Sequence, residues 1–469
     1  MSSPNIILIV ADDMGYGDFG MFNDGSARTP TIDALARDGI CLTQHYSGSC
    51  VCAPARAALF TGRYPHRTGA IDTLDGLGLD RLGLREVTMA DYFQAAGYVT
   101  GMVGKWHLGN LDPRYHPNRR GFDEFVGFCG GWSDYYRWRI DRNGSIEGGD
   151  GRYLTDVLAS EAAAFVDRHA AEPFFLHVAF NAPHFPLQAP DGLVQRYLDV
   201  GLPRGVALIY AMNERMDAGV AEILDAIDRA GCSSNTLVIF TSDNGPDLTP
   251  RRAATDVLRD EFGGLDLRRF NCNFNGAKGH VYEGGIRVPL VARWSDGLPS
   301  DRRIDALVHF VDWLPTLLDV VGIPWCGHPP LDGNSVLPML RGESTVEPAR
   351  RFWQWNRYVP VLECNAAVRD GPWKLVRPRI DEAMHVASRH LQMDRDLKYR
   401  PDVHTAAVLD DIPERLIPEP SSAELYDLVS DPGEQTNLAT VESRRVAVML
   451  GQLETWFEDV ESDRRSVIN

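Results

Sequence analysis

Two short clusters of acidic and amide side chains are candidates for a cation site. Each cluster follows a predicted buried strand. Asp12 and Asp13 follow the first strand, and Asp243 and Asn244 follow a strand near the middle of the chain. Adjacent carboxylates repel each other and are costly to bury, so they need a cation or several backbone donors. Three carboxylates and an amide offer only oxygen ligands, which favours Ca²⁺ or Mg²⁺ over Zn²⁺. For either cluster alone, capping of a following turn is an equally good interpretation; together they favour a metal site.

The segment from residue 50 to residue 63 carries the most specific chemical signal in the chain. It reads CVCAPARAALFTGR, so that Pro54 and Arg56 follow Cys52 at short fixed spacings. Considered alone, Cys50 and Cys52 have two other interpretations. They could be small buried residues, or a metal-binding or redox pair, although a single intervening residue is not the usual spacing for such pairs.

Three further segments place lysine or histidine after or beside predicted strands. Lys105 and His107 stand in GKWHLG, His184 stands in NAPHFP, and Lys278 opens KGHVYEGGIRVP. Residues two apart in an extended loop can face one side, so Lys105 and His107 can act on one ligand. A single lysine is more often a solvated charge, and a single histidine is more often structural. Each of these signals is therefore weak when it stands alone.

Together the segments resemble the motifs of the type I, formylglycine-dependent sulfatases of the alkaline phosphatase superfamily. The resemblance rests on Cys-x-Pro-x-Arg with a following Thr-Gly-Arg, on Gly-Lys-Trp-His, and on the segments around His184 and Lys278. The tail ELYDL at 424–428 is also similar, so the resemblance covers nearly the whole chain. It implies an arylsulfatase-like sulfuric ester hydrolase that acts on a small-molecule or carbohydrate sulfate ester, such as an aryl sulfate or a sulfated sugar.

The resemblance also implies a modified residue and a metal. In that family the cysteine at the position of Cys52 is oxidised to formylglycine by a maturation enzyme, and its hydrated aldehyde is the nucleophile. One divalent cation is implied, usually Ca²⁺, with Mg²⁺ or Mn²⁺ as alternatives. The implied metal ligands are Asp12, Asp13, Cys52, Asp243 and Asn244. The implied catalytic residues are Cys52, Arg56, Lys105, His107, His184 and Lys278.

The implied roles follow from what a sulfate ester requires. The ester is an anion with a poor leaving oxygen, so cleavage needs a nucleophile at sulfur, surrounding positive charge and a proton. On this reading Arg56 fixes the hydrate and Lys105 bridges it to the sulfate. His107 is the base in the step that releases sulfate. His184 and Lys278 bind the sulfate and protonate or stabilise the leaving oxygen.

Two other functions remain as alternatives. A phosphonate monoester or phosphodiester hydrolase of the same superfamily shares the converted cysteine and differs mainly in the shape of its pocket. A catalytically silent binding protein could retain the fold, but every expected catalytic position holds its usual residue type, which argues against this alternative. Comparing kcat/KM on an aryl sulfate and on an aryl phosphonate separates the two hydrolases.

The elements that must position these residues follow from the hydrophobic pattern. The predicted strands are continuous apolar runs, which is typical of strands that are buried on both faces. They lie at 5–11, 98–103, 173–180, 236–242 and 288–293. A helix is predicted over 204–230, where apolar residues recur at steps of three and four. The alternation predicts an α/β fold: a large, mostly parallel sheet sandwiched by helices, with ligands at the carboxyl ends of its strands.

The pattern changes after about residue 345. Short strands are predicted at 352–357, 366–369, 373–377 and 423–428, and a terminal helix at 441–460. We therefore expect a catalytic domain over 1–345 and a smaller α+β unit over 346–469. Residues 380–421 are charged and predicted to be irregular. The aromatic residues of 131–138 suit a sugar or an aryl ring, and core or interface packing is at least as good an interpretation.

Charge and composition restrict the partners. The chain has 47 Lys and Arg against 65 Asp and Glu, a net charge of −18. Its average surface repels nucleic acid and anionic membranes, so we expect neither as a partner. The eight cysteines are too sparse for a disulfide scaffold. No apolar run has the length of a signal sequence or a membrane span, which predicts a cytoplasmic location, or a periplasmic one if a leader has been removed.

Overall fold

The structure is a computed structural model that describes residues 3–247, 264–343, 349–408 and 410–468. Its larger sheet has ten strands. They are β1 (Asn5–Asp12), β2 (Ile40–Tyr46), β3 (Val99–Lys105), β4 (Glu124–Phe128), β5 (Arg139–Arg142), β6 (Ser145–Gly148), β7 (Phe174–Pro183), β8 (Thr236–Ser242), β9 (Leu290–Arg293) and β10 (Arg302–His309). Their spatial order is β10-β2-β9-β8-β1-β7-β3-β4-β5-β6. The central run β8-β1-β7-β3-β4 is parallel throughout.

The described residues form thirteen α-helices, some of which cover the two faces of this sheet. They are α1 (Pro30–Arg37), α2 (Cys52–Thr61), α3 (Pro65–Thr68), α4 (Met89–Ala95), α5 (Leu154–His169), α6 (Asp191–Asp199), α7 (Arg204–Arg229), α8 (Glu283–Ile286), α9 (Trp313–Val321), α10 (Leu337–Arg341), α11 (Asp381–Met384), α12 (Ser388–Tyr399) and α13 (Ser443–Ile468). Ile6 and Leu8 of β1 pack in one hydrophobic cluster with α2, α4 and α9. Ile7 and Ile9 pack in another with α5 and α7. Both faces of β1 are therefore buried, as its continuous apolar run predicted.

The smaller sheet is antiparallel and follows in the chain. Its strands are β11 (Arg351–Gln354), β12 (Ala366–Asp370), β13 (Trp373–Arg377) and β14 (Glu424–Asp427). Ala366 and Val368 belong to the same hydrophobic cluster as Ile6, so the two sheets share a core. The predicted boundary between residues 345 and 346 lies outside the described residues, and the division into two domains stays a prediction.

The predicted fold class is confirmed, with differences in detail. β9 pairs antiparallel with both β2 and β8, so the sheet is mixed at this position. The prediction that 380–421 is irregular was wrong over the short helix α11 and over the longer helix α12. That helix is charged, and it is stabilised in part by i,i+4 ion pairs: Lys398 with Asp394, and Arg400 with Asp396.

The register of the central strands brings the predicted site residues to one edge. Ala11 of β1 pairs with Ser242 of β8, so the two acidic clusters leave the sheet side by side. On the other side of β1, Asp12 pairs with Pro183 at the end of β7. β3 also ends at this edge, at Lys105. Within the described ranges, no helix is both long and apolar enough to cross a bilayer.

Candidate active site

The two acidic clusters meet at the carboxyl edge of the sheet. The backbone N–H of Asp13 donates to Oδ1 of Asp243 at 3.2 Å, and Nδ2 of Asn244 donates to Oδ1 of Asp13 at 2.7 Å. Carboxylate oxygens of Asp12, Asp13 and Asp243 lie within 4.8 Å of one another. All four side chains are buried. The four oxygen ligands predicted from the sequence are thus brought together in one buried site of carboxylate and amide oxygens.

Two oxygens of this cluster are buried without a hydrogen-bond donor in the described part of the chain: Oδ1 of Asp12 and Oδ1 of Asn244. Burial raises the pKa of Asp12 to about 8, despite the nearby ammonium group of Lys105. A further positive charge beside these oxygens would stabilise the ionised carboxylate. Unpartnered carboxylate and amide oxygens are the ligands of a hard divalent cation, so the residues present fit such an ion.

Two lysines from distant segments bind the adjacent carboxylates. Nζ of Lys105 donates to Oδ2 of Asp12 at 2.6 Å, and Nζ of Lys278 donates to Oδ2 of Asp13 at 2.6 Å. Burial acts to raise the pKa of Asp13, but the ammonium groups of Lys278 and Lys105 outweigh burial and lower that pKa. Two lysines and two carboxylates from distant segments are therefore matched at one buried point.

Cys52 and Arg56 lie one turn apart on α2, which places them on one face of the helix. Nε and Nη2 of Arg56 donate to Oδ2 of Asp243 at 3.0 and 2.7 Å, and Nη1 donates to the backbone oxygen of Lys105 at 3.2 Å. Ligand atoms of Cys52, Asp12 and His184 lie within 4.8 Å of one another. Burial raises the pKa of the Cys52 thiol to about 12, so the unmodified side chain stays protonated and weakly nucleophilic at neutral pH.

The two predicted histidines are buried and neutral. Nδ1 of His184 donates to the backbone oxygen of Phe185 at 2.7 Å, which leaves Nε2 as the acceptor, 3.7 Å from Oδ2 of Asp13. His107 has no hydrogen-bond partner on either ring nitrogen in the described structure, and its Nε2 lies 3.8 Å from Oδ1 of Asp75. Burial lowers the pKa of both histidines, and the neighbouring lysines lower it further. Each ring can therefore accept a proton.

A cavity of about 750 Å³ opens onto this cluster and is lined by Cys52, His107, His184 and Lys278. Arg56, Lys105 and the clustered carboxylates of Asp12, Asp13 and Asp243 do not line the cavity. Sequence reasoning missed several residues of its wall: Asp75, Asn110, Asp394, Arg395, Lys398 and Tyr399. The i,i+4 charge pair of Asp394 and Lys398 was an available signal for the helix that carries the last four. Trp132 and Arg137, within the aromatic stretch singled out from the sequence, also line the cavity.

Two family models, several curated proteins and several solved structures match this chain. The family model described as "Sulfatase" matches residues 4–323, and the model for the C-terminal part of N-sulphoglucosamine sulphohydrolase matches residues 275–389. Arylsulfatase A of Homo sapiens is 33% identical over 466 residues, covering 93% of this chain and 83% of its own length. Steryl-sulfatase of Mus musculus is 32% identical over 430 residues; the match covers 73% of this chain and 65% of that protein's length. The solved structure of Ps i-CgsB in complex with k-i-k-neocarrahexaose superposes with a TM-score of 0.78 and 27% identity, covering 97% of this chain and 93% of that chain.

Proposed function

The chain belongs to the sulfatase family of sulfuric ester hydrolases, and we propose that it hydrolyses a sulfate ester at the buried cluster around Cys52. The observation that carries the proposal is that Lys105 and Lys278 converge on adjacent buried carboxylates beside Cys52, next to a cavity large enough for a substrate. A small-molecule or carbohydrate sulfate ester fits such a cavity, since the bound sulfate would lie among fixed positive charges.

The proposal includes conversion of Cys52 to formylglycine by a maturation enzyme. Pro54 and Arg56 stand at the spacing of the modification motif only when it is counted from Cys52; counted from Cys50, those positions hold Cys52 and Pro54. The protonated thiol of the unmodified residue is a poor nucleophile in this buried position. Once formed, the hydrated aldehyde supplies a hydroxyl group that can attack sulfur.

The proposal also includes one divalent cation, with Ca²⁺ as the first choice and Mg²⁺ or Mn²⁺ as alternatives. The residues that would hold it are Asp12, Asp13, Asp243, Asn244 and residue 52. The two unpartnered oxygens of Asp12 and Asn244 support this assignment. When bound, the ion supplies Lewis-acid polarisation to oxygens in its coordination sphere.

The other roles in the proposed reaction fall to side chains of this chain. Arg56 anchors Asp243 and holds the start of α2, and with it residue 52, against the acidic cluster. Lys105 and Lys278 offset the charge of the sulfate. Lys278, whose pKa is raised because Asp13 outweighs the effect of burial, stays protonated and donates a hydrogen bond to the leaving oxygen.

The proposal assigns the proton transfers to His184 and His107. Nδ1 of His184 donates to the backbone oxygen of Phe185 and so fixes the ring. Once Nε2 is protonated, it can donate a hydrogen bond to a sulfate oxygen or pass its proton to the leaving oxygen. His107 has no competing hydrogen bond in the described structure and lines the cavity, so it can act as the base that leads to sulfate release.

The experiment compares protein produced with and without a formylglycine-generating enzyme. We expect peptide mass spectrometry to show the sulfur of residue 52 replaced by an aldehyde oxygen, with Cys50 unchanged, and 4-nitrophenyl sulfate to be hydrolysed only by the modified protein. Cys52→Ala should be inactive, whereas Cys50→Ala, the matched control, should retain activity. Activity in protein with an intact Cys52 thiol would contradict the proposed nucleophile, and hydrolysis of an aryl phosphonate in strong preference to the sulfate would contradict the proposed reaction.

A further inference from the structure

We infer that the cavity wall formed by residues 131–139 and 394–402, the distal wall, binds a second anionic group on a sulfated carbohydrate, through Arg137 and Arg395. The inference rests on the proposed function and names its substrate class: a sugar that carries a sulfate or carboxylate in addition to the sulfate that is cleaved. The residues of this wall lie outside the cluster around Cys52.

The distal wall is built where two distant segments meet. The rings of Trp132 and Tyr399 are in edge contact, with centroids 5.0 Å apart and planes at 65°. Both side chains line the cavity. Arg395 lies one helical turn before Tyr399 on α12 and therefore shares its face, and Arg137 follows Trp132 in the other segment. Both arginines also line the cavity.

Direct contacts connect this wall to the proposed reaction centre. Nζ of Lys398 lies 4.9 Å from the ring centroid of Phe185, and that ring stacks on His184 with centroids 4.6 Å apart. α12 thus packs against the loop that carries a proposed sulfate-binding histidine. A group attached to the leaving oxygen of a bound ester would extend from His184 toward α12 and the distal wall.

Two arginines of the cavity lining have no ion pair in the described residues. Most charged residues of the lining are engaged: Arg139 with Asp402, Lys398 with Asp394, Arg357 with Asp72, Lys278 with Asp13, and His116 with Asp141. Asp134 and Asp75 have no lysine or arginine partner in the described residues. Asp134 accepts backbone N–H groups of residues 136 and 137 and the amide of Gln188, and Asp75 accepts the backbone N–H of Gly131 and the amide of Asn110. In the described residues, the guanidinium groups of Arg137 and Arg395 have no ion pair. Two unpaired cations facing a cavity, in a chain of net charge −18, are suited to an anionic ligand.

The neighbouring groups favour a sugar as the carrier of that anion. The indole Nε1 of Trp132 is buried and has no hydrogen-bond acceptor in the described structure. A donor of this kind in the wall of a cavity is satisfied by a ligand oxygen, and the faces of Trp132 and Tyr399 offer apolar contact to a sugar ring. An unsubstituted aryl or steroid leaving group would use neither the free donor nor the two cations.

The test compares a monosulfated hexose with the same hexose carrying a second sulfate, in modified, metal-loaded enzyme. We expect kcat/KM to favour the disulfated sugar by about tenfold, the gain from two partly exposed ion pairs. The double variant Arg137→Gln/Arg395→Gln should lose this preference. Arg444→Gln, which removes an exposed arginine from α13, should keep it. A preference that is absent in the wild type, or that survives in the double variant, would overturn the inference.

A binding measurement separates this inference from the proposed function. The Cys52→Ala protein lacks the proposed nucleophile, so calorimetry can measure binding without hydrolysis. The disulfated hexose should bind more tightly than the monosulfated hexose. The two arginine substitutions should abolish this difference. Equal binding of the two sugars overturns the second-anion site even if the enzyme hydrolyses sulfate esters. Unequal binding without hydrolysis of any ester upholds the anion site and contradicts the proposed reaction.

Discussion

The ammonium group of Lys278 lies 2.6 Å from Oδ2 of Asp13, although 265 positions separate the two residues in the sequence. Lys105 makes the equivalent contact with Asp12. Each of two adjacent buried carboxylates is therefore matched by one lysine from a different segment. This pairing lets the chain concentrate both signs of charge at one buried point, where removal of either partner leaves an uncompensated charge.

Removing Lys278 should affect poor leaving groups most. Lys278→Ala should lower kcat/KM by about 100-fold on an alkyl or sugar sulfate but much less on 4-nitrophenyl sulfate, because nitrophenolate leaves with little need for a proton. Steady-state kinetics on the two substrates measures the difference. Lys278→Arg, which keeps the charge beside Asp13, separates loss of the proton donor from loss of stability. Equal losses on both substrates would show that Lys278 acts only through binding.

Substituting Asp243 should remove the metal and destabilise the fold. Asp243→Ala takes away a ligand and leaves the buried guanidinium of Arg56 without its carboxylate, a change that costs about 3–5 kcal/mol in the free energy of unfolding. Elemental analysis should find about one divalent ion per chain in the wild type and none in the variant. Chelation should abolish turnover, and Ca²⁺ should restore it.

The control for this substitution is Glu86→Gln, which weakens another buried pair, the one with Arg63. It should lower stability and leave the metal content unchanged. Loss of metal in both variants would mean that destabilisation alone releases the ion. Retention of one ion per chain in Asp243→Ala would remove Asp243 from the ligand set.

A methyl group at residue 131 should displace His107. A Cβ atom at Gly131 would lie 2.5 Å from Cε1 of the His107 ring, so Gly131→Ala must shift the imidazole. A displacement of about 1 Å at a reacting group can cost on the order of 100-fold in rate, and we expect a loss of this size in kcat. Gly148→Ala is the control, because a Cβ there meets no atom within 4 Å. Unchanged kcat in Gly131→Ala would exclude His107 from the step that limits turnover.

A buried cluster between the two sheets should make stability depend on pH. Lys374 lies 2.8 Å from a carboxylate oxygen of Glu283 and 2.9 Å from one of Glu434, so one cation serves two carboxylates. Burial, with Glu283 adding to it, raises the pKa of Glu434 to about 7. The folded protein therefore keeps a proton that the unfolded chain releases at lower pH. This contribution to stability is complete below the unfolded pKa and is lost as the pH rises through about 7.

Urea unfolding between about pH 5 and pH 8 measures this slope. Glu434→Gln, which cannot release a proton, should flatten the decline in unfolding free energy over that interval. Glu458→Gln removes an exposed carboxyl group from α13 and should leave the wild-type profile unchanged. An identical slope in wild type and Glu434→Gln would show that Glu434 is ionised in the folded protein throughout the range.

Much of the fold and of the candidate site could be predicted from the sequence because the signals are local. Continuous apolar runs such as that of β1 indicate strands buried on both faces, and the residues that follow such strands meet at one edge of a parallel sheet. The proximity of Asp12 and Asp243 could thus be predicted from the sequence alone. The segment around Cys52 could be identified because its motif fits within a few residues of one helix.

Only the tertiary structure decided the pairings and the shape of the cavity. Nothing in the local pattern shows that Lys105 binds Asp12 while Lys278 binds Asp13, or that Tyr399 contacts Trp132 across the cavity. α12 was missed because its sequence is charged rather than clearly amphipathic, and it is held in part by its own ion pairs and by packing on remote segments. Contacts between distant segments depend on how the whole chain packs, which the periodicity of a short window does not encode.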